Sequence, residues 1–277
     1  MSALTRNQIA LIKSLYTRHG RKKNNLCIVD GLRCCSDFLA SGNELLELLI
    51  CDTALAGTFE QYHPFVVTKE EIATLSSTIA NQGVIAVARR PAEVPTGVLP
   101  PDPFILVLDR IADPGNLGTI LRTAKAVGLK EVWLTAGTVD PFSDKTIRAA
   151  MAAQFSLGLR RFESLHELKH SLLKFGFSKI FRTDPHTGQN CFCTQELFDH
   201  SAIIIGNEAN GAAILDESVS VKIPMPGNSE SLNAAQATTV LLFEYVRRTF
   251  VETPPSTGKN SNTASKTASF IPMSEQS

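Results

Sequence analysis

Two runs without a polar residue, Phe104–Leu108 (FILVL) and Ala202–Ile205 (AIII), constrain the fold of this chain more than any other feature. A strand with one wet face alternates apolar and polar side chains. An unbroken apolar run, closed by Asp109 in one case and Gly206 in the other, reads as a strand covered on both faces. EVWLT (131–135), SLGLRRF (156–162), SKIFRT (178–183) and SVKIPM (220–225) supply further strands. They alternate with helical stretches, notably residues 116–128, 164–175 and 231–248. That alternation predicts an α/β fold: a mostly parallel sheet with helices on both faces.

A second, smaller α/β unit precedes it. Ile9, Leu11, Ile12 and Leu15 mark one helical face, and LCIVDG (26–31) is a short strand. GLRCCSDFLASG (31–42) predicts a helix closed by Gly42, and TKEEIATL (68–75) one opened by Thr68. ELLELLICD, PFVVT and GVIAVA are strand candidates. The stretch 89–103 holds five prolines, a density that breaks helix and sheet. After Phe250 the chain is rich in Ser, Thr and Asn and almost without apolar residues, which predicts disorder. The expected units are therefore 1–90, a linker 91–103, a larger domain 104–250 and a tail 251–277.

Net charge is zero, with 27 basic and 27 acidic residues, so only its distribution is informative. Residues 1–33 carry seven basic side chains against Asp30 alone. Arg18, Arg21, Lys22, Lys23 and Arg33 are candidate contacts to phosphates. The six cysteines form no C-x-x-C pair, and Cys191-x-Cys193 beside distant histidines is too weak a pattern for zinc, so no metal is expected. The spacing is that of free thiols in a reducing compartment. No apolar run suits a signal peptide or a membrane span. The expected location is the cytoplasm, with no membrane partner.

Three segments of the larger unit carry chemistry. Asp109–Ala124 runs from a strand end through Asp113, Pro114, Gly115 and Asn116 into a helix bearing Arg122. This is where open α/β sheets bind ligands. Ile203–Gly211 (IIIGNEANG) takes an apolar strand into a turn with two glycines and Glu208. Gly206 and Gly211 have P-loop spacing, but Ala212 and Ala213 stand where Lys and Ser/Thr are needed, which excludes a P-loop. Ile223–Thr238 breaks at Pro224 and Pro226, loops through Gly227 and Asn228, and enters a long helix with Ser231 and Asn233 in its first turn. No strand is followed by G-x-G-x-x-G, which argues against a nicotinamide enzyme.

In order and spacing these segments resemble the three motifs of the SpoU/TrmH family of SPOUT RNA 2′-O-ribose methyltransferases: N-x-G-x-x-x-R, I-G-x-E-x-x-G and I-P-M-x-G-x-x-x-S-L-N. Here they read Asn116–Gly118–Arg122, Ile205–Gly206–Glu208–Gly211, and Ile223–Pro224–Met225–Gly227–Ser231–Leu232–Asn233. RHGRKKNNLCIVDGLRCC, near the N-terminus, is similar to the family's ribosomal-protein-like RNA-binding domain. The chain departs from the family at Ala234–Ala235, commonly Val-Ser, and at Ala150–Ala153, often serine and glycine.

The resemblance implies a deep trefoil knot, a homodimer with its active site at the interface, and S-adenosylmethionine as methyl donor. It implies cofactor contacts at Ile205, Gly206, Asn207, Gly211, Ile223, Met225, Ser231, Leu232 and Asn233. Arg122, Asn116, Glu208, Ser231 and Asn233 are the expected catalytic positions. The expected substrate is ribosomal RNA; a transfer RNA methyltransferase or a non-catalytic assembly protein of the same fold are the alternatives.

Overall fold

The structure is a computed structural model that describes residues 4–42, 44–207, 211–227 and 230–250. The tail expected to be disordered and Glu208 both lie outside the described residues. The chain begins with α1 (Arg6–Leu15), α2 (Arg18–Asn24), β1 (Leu26–Asp30), α3 (Leu32–Ala40), β2 (Leu46–Asp52), β3 (Phe65–Val67), α4 (Lys69–Leu75) and β4 (Val84–Arg89). These form a four-stranded sheet of order β1-β4-β2-β3. The helices start where a side chain satisfies the first free N–H groups. Thr5 and Thr68 make complete capping boxes with Gln8 and Glu71, and Thr17 caps α2.

The second half runs β5 (Phe104–Leu108), α5 (Pro114–Ala126), β6 (Glu131–Thr135), α6 (Asp144–Ala150), β7 (Gly158–Phe162), α7 (Leu165–Lys174), β8 (Lys179–Thr183), β9 (Gln189–Asn190), β10 (Ser201–Ile205), β11 (Val219–Lys222) and α8 (Ala234–Thr249). Its seven strands lie in the order β7-β6-β5-β10-β8-β11-β9, and neighbouring strands pair in parallel. The two apolar runs, β5 and β10, are adjacent at the centre and buried throughout. Their physical requirement is met by covering layers: Leu106 and Ile203 join one core cluster, Ile105 and Ile204 another.

Some features were not legible beforehand. RHGRKKN is a capped helix, DKTIRAA is α6, and β9 is a two-residue strand. The helix of the third motif begins at Ala234, so Asn233 is its N-cap and Ser231 lies before it rather than in its first turn. Arg160 in β7 is wholly buried because Glu131 on the neighbouring strand takes it bidentately, Nε–Oε1 2.6 Å and NH2–Oε2 3.1 Å, with the guanidinium 4.9 Å over the Trp133 ring. The proline-rich stretch 91–103 carries no helix or strand and runs against β7: Val94 N donates to Leu159 O, and Arg160 donates to Thr96 O.

The end of α8 is tied down by charge. Glu244 accepts from Arg247 and Arg248 at 2.7 Å each, and Arg248 in turn donates to the carbonyls of Cys191 and Thr194. The Arg247 hydrogen bond, against the cost of burial and with help from Arg248, holds the Glu244 carboxyl down at about 2. A carboxyl lowered in the folded state stabilises it above the unfolded pKa and loses that contribution as pH falls through the folded value. The expected result is a fall of a few degrees in Tm between pH 5 and pH 2 beyond that of Glu244→Gln, which lacks this titration; parallel pH–Tm curves would refute it.

Candidate functional site

The carboxyl ends of β5, β8, β10 and β11 lie together at the middle of the sheet, because parallel strands all deliver their following loops to the same edge. There the segments after β8, β10 and β11 line a cavity of about 630 Å³. Ile205, Gly206, Asn207, Gly211, Ile223, Met225, Ser231, Leu232 and Asn233 all line it. The second and third motifs, separate in sequence, thus form facing walls.

The second-motif turn folds back on itself. Gly211 N donates to Asn207 O at 2.8 Å, and Gly211 has φ +65°. Gly206 sits against the returning strand of the turn: a Cβ there would meet Ala212 N at 1.9 Å and Gly211 C at 2.1 Å. Only glycine permits that approach. Two tethers hold the turn to the first motif. Asn207 Nδ2 donates to Arg110 O at 3.1 Å, and Ala213 N donates to the Asp109 carboxylate at 3.1 Å. Asp109 is 1% exposed and also accepts from Thr135 Oγ1 and the Arg110 guanidinium. Arg110 adopts φ +55°, a left-handed conformation unusual for a side chain of its size.

A side-chain hydrogen bond joins the first motif to the third. Asn233 Nδ2 donates to Asn116 Oδ1 at 2.9 Å across 117 residues of sequence. Asn233 Oδ1 accepts from Ala235 N and Gln236 N, and Asp113 Oδ1 accepts from Asn116 N, so each asparagine also sits at a helix start. Asn233 belongs both to the cavity and to a shallow groove between α5 and α8 that Asn116, Thr119, Gln236 and Thr239 line. Arg122 is exposed on α5 and does not line its own chain's cavity.

The sequence reading missed the loop after β8. Arg182, Thr183, Asp184 and His186 line the cavity. Burial pushes the Asp184 carboxyl up, but the Thr187 and His186 N–H groups, the Thr187 hydroxyl and Arg182 prevail and hold it at about 2. The signal was present: D-P-H-T-G following an apolar strand is an aspartate turn pattern.

Of the basic residues near the N-terminus, Arg18, Lys22, Lys23 and Arg33 are exposed. Arg21 is not. It is 4% exposed, donates through Nε and NH2 to Asp140 at 2.8 Å, and donates through NH1 to Leu15 O at 3.0 Å. Its expected role as a phosphate contact is therefore corrected: the guanidinium is spent inside the protein. Cys191 is buried and Cys193 exposed, and among the described residues no three His, Cys, Asp or Glu side chains are grouped to hold a metal. No described helix is long and apolar enough to cross a membrane.

Comparison with known proteins agrees with this arrangement. Residues 103–243 match the SpoU rRNA Methylase family, and residues 6–86 match the MRM3-like substrate binding domain. The chain is 32% identical to the 23S rRNA (guanosine(2553)-2′-O)-methyltransferase RlmP of Bacillus subtilis, over 83% of this chain and 92% of that one. It is 31% identical to an uncharacterised tRNA/rRNA methyltransferase of Synechocystis, over 92% and 97%. Among solved structures, an AdoMet-bound rRNA methyltransferase from Sinorhizobium meliloti superposes with a TM-score of 0.76 at 26% identity, covering 90% of this chain and 97% of that one. With residues 103–243 matched by the family model and a relative 32% identical over most of both chains, the chain belongs to the SpoU rRNA methylase family.

Proposed function

We infer that this protein transfers a methyl group from S-adenosylmethionine to a ribose 2′-hydroxyl of ribosomal RNA. The observation that carries the reading is a cavity lined by both the second and the third motif at the carboxyl edge of the sheet. Its volume suits a nucleoside-sized ligand. Ile205, Ile223, Leu232 and Leu241 offer apolar walls for a purine face, and the side-chain-free Gly206 lets the backbone approach. The carboxylates of Asp184 and Glu230 in the same lining suit a ligand carrying a sulfonium and an ammonium. The residues present therefore fit S-adenosylmethionine. Ile205, Gly206, Asn207, Gly211, Ile223, Met225, Ser231, Leu232 and Asn233 are the ones we assign to holding it.

When bound, S-adenosylmethionine supplies an electrophilic methyl on a good leaving group. The chain's own task is to hold the ribose oxygen in line with that methyl and to let its proton leave. The planar guanidinium of Arg122 acts as a cation that fixes a phosphate and the hydroxyl beside it, not as a base. The proton passes to a phosphate oxygen or water. Asn116, hydrogen-bonded to Asn233, links the Arg122 helix to the cavity. Glu208 and Ser231 complete the catalytic set we propose.

Arg122 stands outside its own cavity, and α8, which lines the α5–α8 groove through Gln236 and Thr239, also carries the half-exposed Phe243. Both support a homodimer in which Arg122 serves the partner's cofactor. The central position of β10, between β5 and β8, with β11 beyond, supports the deep trefoil knot, a rare exception to unthreaded chains. We place the protein in the cytoplasm, in keeping with six free thiols.

The test is transfer of labelled methyl to unmodified ribosomal RNA and, in parallel, transfer RNA. A nuclease- and alkali-resistant dinucleotide from ribosomal RNA supports the reading; label only in transfer RNA, or none with either, overturns it. Lys22 and Lys23 bear on RNA affinity. Replacing both with alanine is expected to weaken RNA binding and to flatten its dependence on log salt by about one to two units. An unchanged slope would remove α2 from the RNA interface.

A further inference from the structure

The buried Arg21 has a partner that gives it a role of its own. Asp140 belongs to the catalytic half, 119 residues away, and its side chain is only 11% exposed. The turn it occupies is itself fixed: Asp140 Oδ1 accepts from Phe142 N, and Asp140 O accepts from the Thr146 hydroxyl of α6. Helix α6 is itself hydrogen-bonded to the N-terminal unit, and Arg148 NH1 donates to Ser77 Oγ at 3.3 Å. Ser77 Oγ donates to Asp144 at 2.9 Å, and Cys34 Sγ donates to Ile147 O at 3.6 Å. On its other side α6 meets the Arg122 helix at van der Waals distance. A Cβ on Gly118 of α5 would lie 2.5 Å from Ala149 Cβ and 2.7 Å from Thr146 O. One hydrophobic cluster, from Cys34 and Phe38 through Ile147 to Leu117 and Leu121, runs through all three layers.

We propose that the Arg21–Asp140 pair, acting through α6, sets the register between the RNA-gripping unit and the Arg122 helix, and so helps decide which ribose is methylated. The proposal rests on the RNA-methylation reading. The physical argument is that an ion pair taken out of water contributes little net stability over apolar residues of similar volume, whereas its directional hydrogen bonds impose one geometry. Arg21 sits midway along the very helix, directly before the exposed Lys22 and Lys23 that are offered to phosphates. A pivot at Arg21 therefore moves the grip relative to the site of methyl transfer. Arg21 and Asp140 are positioning residues and touch neither RNA nor cofactor.

The experiment compares the wild type with Arg21→Ala and with the double variant Arg21→Met, Asp140→Leu. The double variant keeps apolar packing where the single one leaves Asp140 buried without its partner, so it retains the fold if the single variant does not. Three quantities are read on ribosomal RNA: Kd, kcat/KM, and the nucleotide that carries the methyl. The expected result for the double variant is a Kd within about twofold, a kcat/KM lower by about ten- to a hundredfold, as for a misplacement of about 1 Å, and methyl at riboses flanking the wild-type target. Wild-type kcat/KM at the wild-type nucleotide alone, in a folded double variant, would overturn the proposal. So would a loss confined to Kd. A wild type that methylates no RNA would instead overturn the functional reading on which the proposal stands.

Discussion

Arg122→Ala is expected to lower the rate of methyl transfer by about 10²–10³-fold while leaving S-adenosylmethionine affinity unchanged. The magnitude is that of removing one preorganised charged donor from a transition state. The separation of the two effects follows from position. Arg122 lies on the exposed side of α5, away from the cavity lining of its own chain, so its loss leaves the cavity walls in place. Single-turnover methyl transfer and calorimetric titration with the cofactor measure the two quantities independently. Arg122→Lys separates charge from geometry. A lysine keeps the charge but loses the planar fork that grips a phosphate and a neighbouring hydroxyl together. Near-full turnover in Arg122→Lys would show that positioning by the guanidinium is not what the residue does.

Gly206→Ala is expected to produce the opposite pattern: cofactor affinity weaker by roughly ten- to a hundredfold, equivalent to about 1–3 kcal/mol of forced displacement. The added Cβ would fall 1.9 Å from Ala212 N and 2.3 Å from Ala212 Cα, and both are backbone atoms that cannot swing aside. The turn must open, and its tethers through Asn207 to Arg110 and through Ala213 to Asp109 oppose that. The cavity wall would move while α5 stayed in place. Cofactor affinity equal to that of the wild type would show that the turn is not part of the binding site. The two variants together address assembly. In a dimer whose sites combine Arg122 of one protomer with the cavity of the other, each mixed dimer holds one intact site. Mixing the two variants, after unfolding and refolding together, is expected to restore methyl transfer. No recovery would place Arg122 and the cofactor it serves in the same chain.

What was legible beforehand depended on whether the signal was local. Apolar runs such as FILVL and AIII announce buried parallel strands because no wet strand can be apolar throughout. Thr68, three residues before Glu71, announces a helix start because both partners of the capping box lie in one turn. Helix α6 was missed. Its seven residues are too few for a clear period, and its stability comes from packing on α5 and on the N-terminal unit, contacts that no window of sequence contains. The loop after β8 was missed for a different reason. Its aspartate turn was visible, but nothing local said that it would face the same cavity as Gly206 and Asn233.

Arg21 shows the limit most clearly. Beside Lys22 and Lys23 it is one more basic residue in a basic stretch, and charge in sequence carries no information on burial. The seven-residue helix α2 turns Lys22 and Lys23 to solvent and Arg21 inward, where Asp140 awaits it. Local sequence alone determined every strand but the two-residue β9, some helix starts, and the three motifs whose residue types and spacing carry the chemistry. Only the tertiary structure decided which of those residues share a cavity and which arginine reaches water. It also decided how the N-terminal unit is held against α6. These are relations between residues as far as 119 positions apart, and they are settled by which packed arrangement best pairs its buried charges and hydrogen-bonding groups.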